Sequence, residues 1–508
     1  MMSSTTIALL TVTVIYILIM LSIAYMANKR AKSEITDYFV GSGSFGTLVI
    51  FWTLYATLFS AWTFLGMAGG GFKQGLGWWV LALADMSLGF TGLYFGSRLW
   101  VLAQKNKYVT PSDFLSDRYQ SNFVRYLVAI MSLIAVIPHV SIQITGIGTI
   151  YEGLSQGQIS FNTGLVVFLI LLTITTVVGL RSVAWSDVLQ GIILFVALWI
   201  AMFSILASSD VGGLTSVVQK IMNTKPELLG FPGGGGYFTQ KNWIAWFFML
   251  GPAIVTYPQM IVKYFGAKNL FVVSNTSKLM PYAIPLTTFP VVFCGLIGAA
   301  VLPELSNPDM VIPTLLATYV HPAVASILGM GAIAAAMSTV SAIMLVASSI
   351  LIKDVIARIN PDMPEKRLVF WGRVCVMFWV GVCLVLGIWN PTMIALMGAY
   401  ALRATGLAFF IPILGALFWP RSTKQGVCAA MVTGFVVGAL TSFVWPTPFG
   451  FDAVYWGFAA EAIVYFAVSY ATAPPPEAHL RRFFDDVDEA LSKTRIKVAQ
   501  EKPSEIKL

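Results

Sequence analysis

Apolar runs, each about long enough to cross a bilayer, follow one another along most of the chain. Short stretches rich in Lys, Arg, Gly and Pro separate them. A run of about 20 apolar residues spans the hydrocarbon core as a helix, because a helix satisfies its own backbone where water cannot. The runs predict thirteen spans, near 6–26, 45–68, 76–102, 123–152, 161–180, 184–207, 242–262, 276–303, 322–352, 368–388, 391–417, 423–446 and 452–472. The first has no basic region before it and Lys29, Arg30 and Lys32 after it, so it reads as a retained helix and not a cleaved leader.

Charge then orients the spans. With the segment after the first span assigned to the cytoplasm, 26 of the 31 Lys and Arg residues fall on that side. Only Lys73, Lys220, Lys225 and Lys241 fall on the other, and Arg403 lies inside a span. Basic residues in short loops stay cytoplasmic, which puts the N-terminus outside and the C-terminus inside a plasma membrane. The net charge of +8 therefore reports topology, and nucleic acid is not implied as a partner. The polar tail after Pro474-Pro475-Pro476 reads as a loose helix or a disordered segment.

Composition agrees with a polytopic all-α membrane protein: 57% of residues are hydrophobic and 11% charged, against about 25% charged in soluble domains. Cys294, Cys375, Cys383 and Cys428 lie in apolar stretches without metal-type spacing and read as small buried hydrophobes. The run Gly233–Gly236 has no phosphate-loop lysine beside it. Paired acid/base, nucleophile and metal constellations do not occur, which argues against an enzyme. About 34 residues follow the last span, too few for the output domain of a membrane sensor.

Two spans depart from the pattern. The second crowds small and hydroxyl residues at its middle, Ala56-Thr57-Leu58-Phe59-Ser60-Ala61, and ends in Gly69-Gly70-Gly71. The seventh contains Gly251-Pro252 and Pro258, which cannot all sit in one unbroken helix, because Pro removes a donor and clashes with the preceding turn. Each opens a block of five spans. Two broken helices in corresponding positions mark an inverted-repeat transporter, with solute and coupling ion bound at the breaks. A proline kink and small residues for helix packing give the same pattern. In the ninth span Ala335, Ser338, Thr339 and Ala342 share one helix face at i, i+3, i+4 and i+7. Neutral hydroxyl oxygens suit a cation such as Na⁺, and small residues there also suit close packing.

Several ordered motifs together resemble the sodium:solute symporters: Asp37-Tyr38-Phe39-Val40-Gly41, Gly71-Phe72-Lys73-Gln74-Gly75-Leu76-Gly77-Trp78, Thr110-Pro111-Ser112-Asp113-Phe114-Leu115 with Arg118-Tyr119, and Gly179 to Gln190 with Trp185-Ser186-Asp187. Ala335-Ala336-Met337-Ser338-Thr339 completes the set, and the resemblance covers roughly residues 35–425. It implies a leucine-transporter-type core of five plus five helices. On that plan residues 1–44 hold an extra helix and loop, and 45–207 the first repeat. A long outer segment occupies 208–241, the second repeat 242–417, two further helices 418–473, and a cytoplasmic tail 474–508.

The resemblance also implies Na⁺-coupled uptake by alternating access, with Na⁺ as coupling ion and no cofactor. Carried over, the sodium site falls on the carbonyls of Ala56 and Phe59 and on Ala335, Ser338 and Thr339, with Asp187 on the release route. The chain departs from the family's pattern in three places. Leu58 stands where proline carriers have aspartate. Ser341 and Ala342 stand where sialic-acid carriers have two serines of a second sodium site. Leu250 and Ile254 replace aromatic residues of the proline carriers. The resemblance therefore implies one Na⁺ per cycle and argues against proline.

The solute is expected between the two broken helices, making Thr57, Ser60 and Tyr257 candidate contacts together with His139 and Gln143, four apart on a cavity-lining span. Arg403 is a guanidinium deep in a span. It answers either a solute carboxylate, which would favour a monocarboxylate or pantothenate-like anion, or an internal acid such as Asp85 or Glu461. A neutral-solute or proton-coupled carrier on the same fold is the alternative.

Overall fold

A computed structural model describes residues 2–32, 34–388, 394–445 and 448–500. Side chains at 249–250, 252–253, 383, 386–388, 394–397, 399–401, 404 and 494–500 fall outside that description, so the comparison made at Leu250 does too. Helices α1 (Ser4–Arg30) and α2 (Ile35–Val40) precede α3 (Thr47–Leu58). The chain breaks, continues through a π turn at Trp62–Gly66 into α4 (Met67–Gln74), and reverses at Gly75 into α5 (Val80–Thr91) and α6 (Ser97–Asn106). Gly75 has φ +70°, and a Cβ there would stand 2.0 Å from the Leu228 carbonyl oxygen, so only glycine fits the turn. Next come α7 (Pro111–Tyr119), α8 (Asn122–Leu154), α9 (Phe161–Thr176), α10 (Leu180–Leu206) and α11 (Gly213–Thr224).

The second broken helix is α12 (Gln240–Val255) and α13 (Pro258–Phe265), followed by α14 (Leu270–Val301) and α15 (Val311–Tyr319). The long α16 (Pro322–Ile350) runs on into the short α17 (Ala357–Ile359), and α18 (Glu365–Ile388) and α19 (Ile394–Phe418) follow. The last elements are α20 (Lys424–Ala439), α21 (Ala453–Ala471), α22 (Glu477–Arg481) and α23 (Asp485–Gln500). Among the described residues eight helices are long and apolar enough to cross a membrane, and Thr47–Leu58, Phe161–Thr176 and Thr405–Phe418 are shorter apolar helices. Among the described residues no strand forms beyond one isolated bridge, Phe45 to Ala267, which ties the entry of α3 to the end of α13.

Helix α16 is the axis of the bundle. Every residue from 328 to 350 is buried, against α8 and α10 above all, and the helix is apolar or small all round, as a fully enclosed helix must be.

One end of the bundle collects the basic residues and binds them tightly. Arg181 grips Asp37 with Nε and Nη2, at 2.6–3.0 Å. Burial pushes the Asp37 carboxyl up, but Arg181 and the Lys32 amide outweigh it and leave the group below its ordinary pKa. Arg125 bridges Asp113 at 2.7 Å and Asp354 at 2.6 Å, tying α7 and α8 to the end of α16. Thr110 and Asp113 cap α7 reciprocally. The buried Arg118 donates to the carbonyls of Ala416, Trp419 and Pro420, closing the C-terminus of α19. The Thr-Pro-Ser-Asp motif is thus a structural clasp.

Of the two readings of the tail the structure has the helical one, in α22 and α23, and the segment 482–488 docks on the bundle. Phe483 and Val487 are each 1% exposed, Arg482 meets Asp117 at 3.2 Å, and Asp486 and Asp488 pair with Lys105 and Arg98 of α6. Its charge-rich sequence hides this docking because the two apolar anchors are too sparse to register as a pattern.

Candidate functional site

The first helix break arises because three amides find partners outside the helix. Phe59 leaves helical backbone at φ −88°, ψ 122°. The Ser60 amide donates to Thr63 Oγ1 at 3.2 Å, the Ala61 amide to Gln143 Oε1 at 2.9 Å, and the Trp62 amide to Ser60 Oγ at 3.2 Å. In an unbroken helix these amides would bond the carbonyls of Ala56, Thr57 and Leu58. Those carbonyls are released, and α16 meets two of them. Ser338 Oγ lies 2.6 Å from Ala56 O and 2.9 Å from Ala335 O; Thr339 Oγ1 lies 3.3 Å from Thr57 O and 3.2 Å from Ala335 O. Ala56, Ala335, Ser338 and Thr339 therefore converge on one point, with Phe59 at the break itself. The cradle contains only neutral oxygens. Farther along α16, the Ser341 hydroxyl accepts from Thr176 Oγ1 at 3.1 Å.

The second break falls at residues 256–257, directly before Pro258, which opens α13 as its first residue. The residue before a proline avoids helical backbone, and Tyr257 sits at ψ 128°. Helix α12 itself runs on through Gly251 and Pro252, so of the expected breakers only Pro258 coincides with the break.

A cavity lies between the two breaks, with about 580 Å³ of empty space when its open mouth is included. Thr57, Leu58, Ser60, Trp62 and Thr63 contribute one wall, and His139 and Gln143 of α8 another. Ile254, Tyr257, Gln259 and Met260 come from the second broken helix, Asp85 from α5, Thr339 from α16, and Gly398 and Leu402 from α19. The His139 and Tyr257 rings meet edge to face with centroids 5.0 Å apart. Thr339 belongs to both the cavity wall and the oxygen cradle.

Of the six expected solute contacts, Thr57, Ser60, His139, Gln143 and Tyr257 line this cavity. Gln143 also holds the first break open through the Ala61 amide. Arg403 stands apart. Its Nη2 pairs with Asp452 Oδ2 at 2.5 Å, and its neighbour Leu402 is the residue that reaches the cavity. The pairing with Asp85 or Glu461 considered above is replaced by one with the N-cap of α21, a partner 49 residues on that no helical periodicity links to Arg403.

Asp187 meets two residues that sequence reasoning did not connect to it. Lys263 Nζ lies 2.8 Å from Asp187 Oδ2 and 2.6 Å from Thr53 Oγ1, and Thr53 donates to the same carboxylate. All three are buried, Lys263 at 2% exposed. The triad joins α3, α10 and α13, and Thr53 lies one turn from Ala56 along α3. Lys263, counted with the cytoplasmic basic residues at the very end of the seventh span, was the available signal.

The model for "Sodium:solute symporter family" matches residues 38–434. The chain is 28% identical over 434 residues to the "Sodium/pantothenate symporter" of Escherichia coli, covering 84% of this chain and 89% of that protein. It is 30% identical over 484 residues to the "High-affinity proline transporter PutP" of Bacillus subtilis, covering 92% and 99%. Among solved structures, a Na⁺-coupled sialic acid symporter in a substrate-bound, outward-open state superposes with a TM-score of 0.77 at 16% identity, over 92% of this chain and 99% of that one. That likeness gives the fold, a leucine-transporter-type helical core. A family model spanning most of the chain, and a relative matched almost end to end, make this protein a member of the sodium:solute symporter family.

Proposed function

We infer that the protein couples entry of Na⁺ to entry of a small organic solute, and that the ion binds to the carbonyls of Ala56, Phe59 and Ala335 and the hydroxyls of Ser338 and Thr339. The observation that carries this reading is the released carbonyl pair at the first break facing two hydroxyls of α16. A shell of dipoles of that kind replaces the hydration of a monovalent cation without requiring a countercharge. Solute binds in the neighbouring cavity, and Thr339, shared by both sites, is the direct physical link between ion and solute. The two five-helix blocks, 45–207 and 242–417, act as the repeats that rock about this point. Asp187 lies on the sodium exit route. The basic end faces the cytoplasm, which follows from its 26 Lys and Arg residues.

The test is Na⁺-dependent thermal stabilisation of the purified protein, with K⁺ replacing Na⁺ at constant ionic strength. Ser338→Ala and Thr339→Ala should each raise the half-saturating Na⁺ concentration by about tenfold, the equivalent of about 1.4 kcal/mol for one lost ligand. A K⁺ response equal to that of Na⁺, or variants that match the parent, would refute the site.

A further inference from the structure

The relatives' names specify two different solutes, pantothenate and proline. The class of solute carried here must therefore be read from the cavity itself, and the reading rests on the function proposed above. We propose that Asp85 recognises the solute, and that the solute carries a protonated amine which pairs with the Asp85 carboxylate inside the cavity.

Asp85 lies in the middle of α5, is 5% exposed, and lines the cavity. It makes no hydrogen bond or ion pair with any described residue, and its Oδ1 is buried without a partner. A carboxylate inside a membrane helix is costly unless something answers it. The cations that could do so are already engaged. Arg403 is bound to Asp452, Lys263 to Asp187, and Arg125 to Asp113 and Asp354. Among the described cavity-lining residues there is no Lys or Arg, and Asp85 is the one carboxylate. An anionic solute would meet this carboxylate with no fixed cation to offset it. A protonated amine reverses the sign of that interaction.

The surroundings suit such a group. Thr57 Oγ1, His139 Nε2 and the Tyr257 hydroxyl are also buried without partners, and all three belong to cavity-lining residues. A hydroxyl or a neutral imidazole nitrogen can accept from an ammonium N–H. The rings of Trp62 and Tyr257 add aromatic surface, which attracts cations once water is excluded. The arrangement therefore selects amines, including zwitterions such as amino acids, over amine-free acids.

The experiment compares matched pairs in a thermal-shift screen of purified protein at saturating Na⁺. Each amino acid or simple amine is set beside its counterpart with hydroxyl in place of the amine, and pantothenate serves as an amine-free anion. At least one amine should stabilise the parent protein, and its deaminated counterpart should not. Asp85→Asn should weaken that amine by about 30-fold or more, as expected when one partner of a buried charge pair is removed. Asp85→Glu, which keeps the charge, should retain the preference for the amine and so controls for a variant that folds poorly. The shift produced by Na⁺ alone should survive in both variants, and its absence from the parent would instead be a failure of the sodium reading. Three results would overturn the proposal: stabilisation by pantothenate or another amine-free acid that tightens in Asp85→Asn, a response to the panel that Asp85→Asn leaves unchanged, or loss of the Na⁺ shift itself in Asp85→Asn.

Discussion

Replacing Lys263 with Met removes a buried cation while keeping most of its apolar stem. In the parent protein the Lys263 ammonium lies 2.8 Å from Asp187 Oδ2, with both side chains at or below 2% exposed. Without it, Asp187 retains Thr53 as its remaining hydrogen-bond donor among the described residues, and Oδ1 already has none. Breaking a buried ion pair from one side costs about 3–5 kcal/mol, because the surviving charge is left desolvated and unanswered. Against a total stability on the order of 5–15 kcal/mol, that loss is large. The second step is diagnostic. Asp187→Asn in the Lys263→Met background removes the orphaned charge, so the double variant should regain about 2 kcal/mol relative to Lys263→Met alone. Equilibrium unfolding in detergent, followed by tryptophan fluorescence, measures both steps. The reasoning fails if Lys263→Met is as stable as the parent, or if the double variant is no better than the single one.

Three further predictions follow from contacts elsewhere in the bundle. Asp452 both pairs with Arg403 and caps α21 through the Val454 amide at 3.1 Å, so Asp452→Ala should cost about 1 kcal/mol more than Asp452→Asn in the same unfolding assay. The tail's ion pairs to α6 involve carboxylates that are 43–59% exposed, and such pairs are worth about 0–1 kcal/mol. Asp486→Asn with Asp488→Asn should therefore leave the tail resistant to protease, whereas Phe483→Ala should expose it. Asp37 has its folded pKa below the ordinary 3.8, so its contribution is present above that value and is lost only as pH falls through the lower folded value. The stability difference between the parent and Asp37→Asn should be flat from neutral pH down to about 4 and shrink only below it.

What the sequence revealed and what it concealed divide along a physical line. Helices follow from runs of apolar residues, and the break at Pro258 from the loss of a donor at one position. The hydroxyl pair on α16 could be found because residues three and four apart must share a helix face. Pairings between helices carry no such local constraint. Asp187 and Lys263 are 76 residues apart, Gln143 and Ala61 are 82 apart, and neither separation has a period that a helix would impose. Arg403 illustrates the consequence. Its depth in an apolar span asks for a carboxylate, whether a solute's or that of Asp85 or Glu461, and the packing of α19 against α21 brings it Asp452, which the sequence did not single out.

The first break also gives the cradle the donor and acceptor pattern that the proposed cation site requires. Each amide that turns away from α3 leaves one carbonyl without its helical donor, so the break concentrates negative potential on the α16 side. The amides themselves are taken by Thr63, Gln143 and Ser60 and do not face the cradle as free donors. A helix interruption with its amide ends free would suit an anion equally well. Here the amide ends are closed by side chains, and the carbonyl ends are met by hydroxyls. A hydroxyl has one proton and two lone pairs. Ser338 and Thr339 tie α16 to α3 by donating to the Ala56 and Thr57 carbonyls, and at the sodium site proposed above the hydroxyls would turn their lone pairs toward the ion instead. The contact between the two helices would then run through the ion where a hydrogen bond stood before, and Thr339, on the cavity wall, would carry its effect to the proposed solute site.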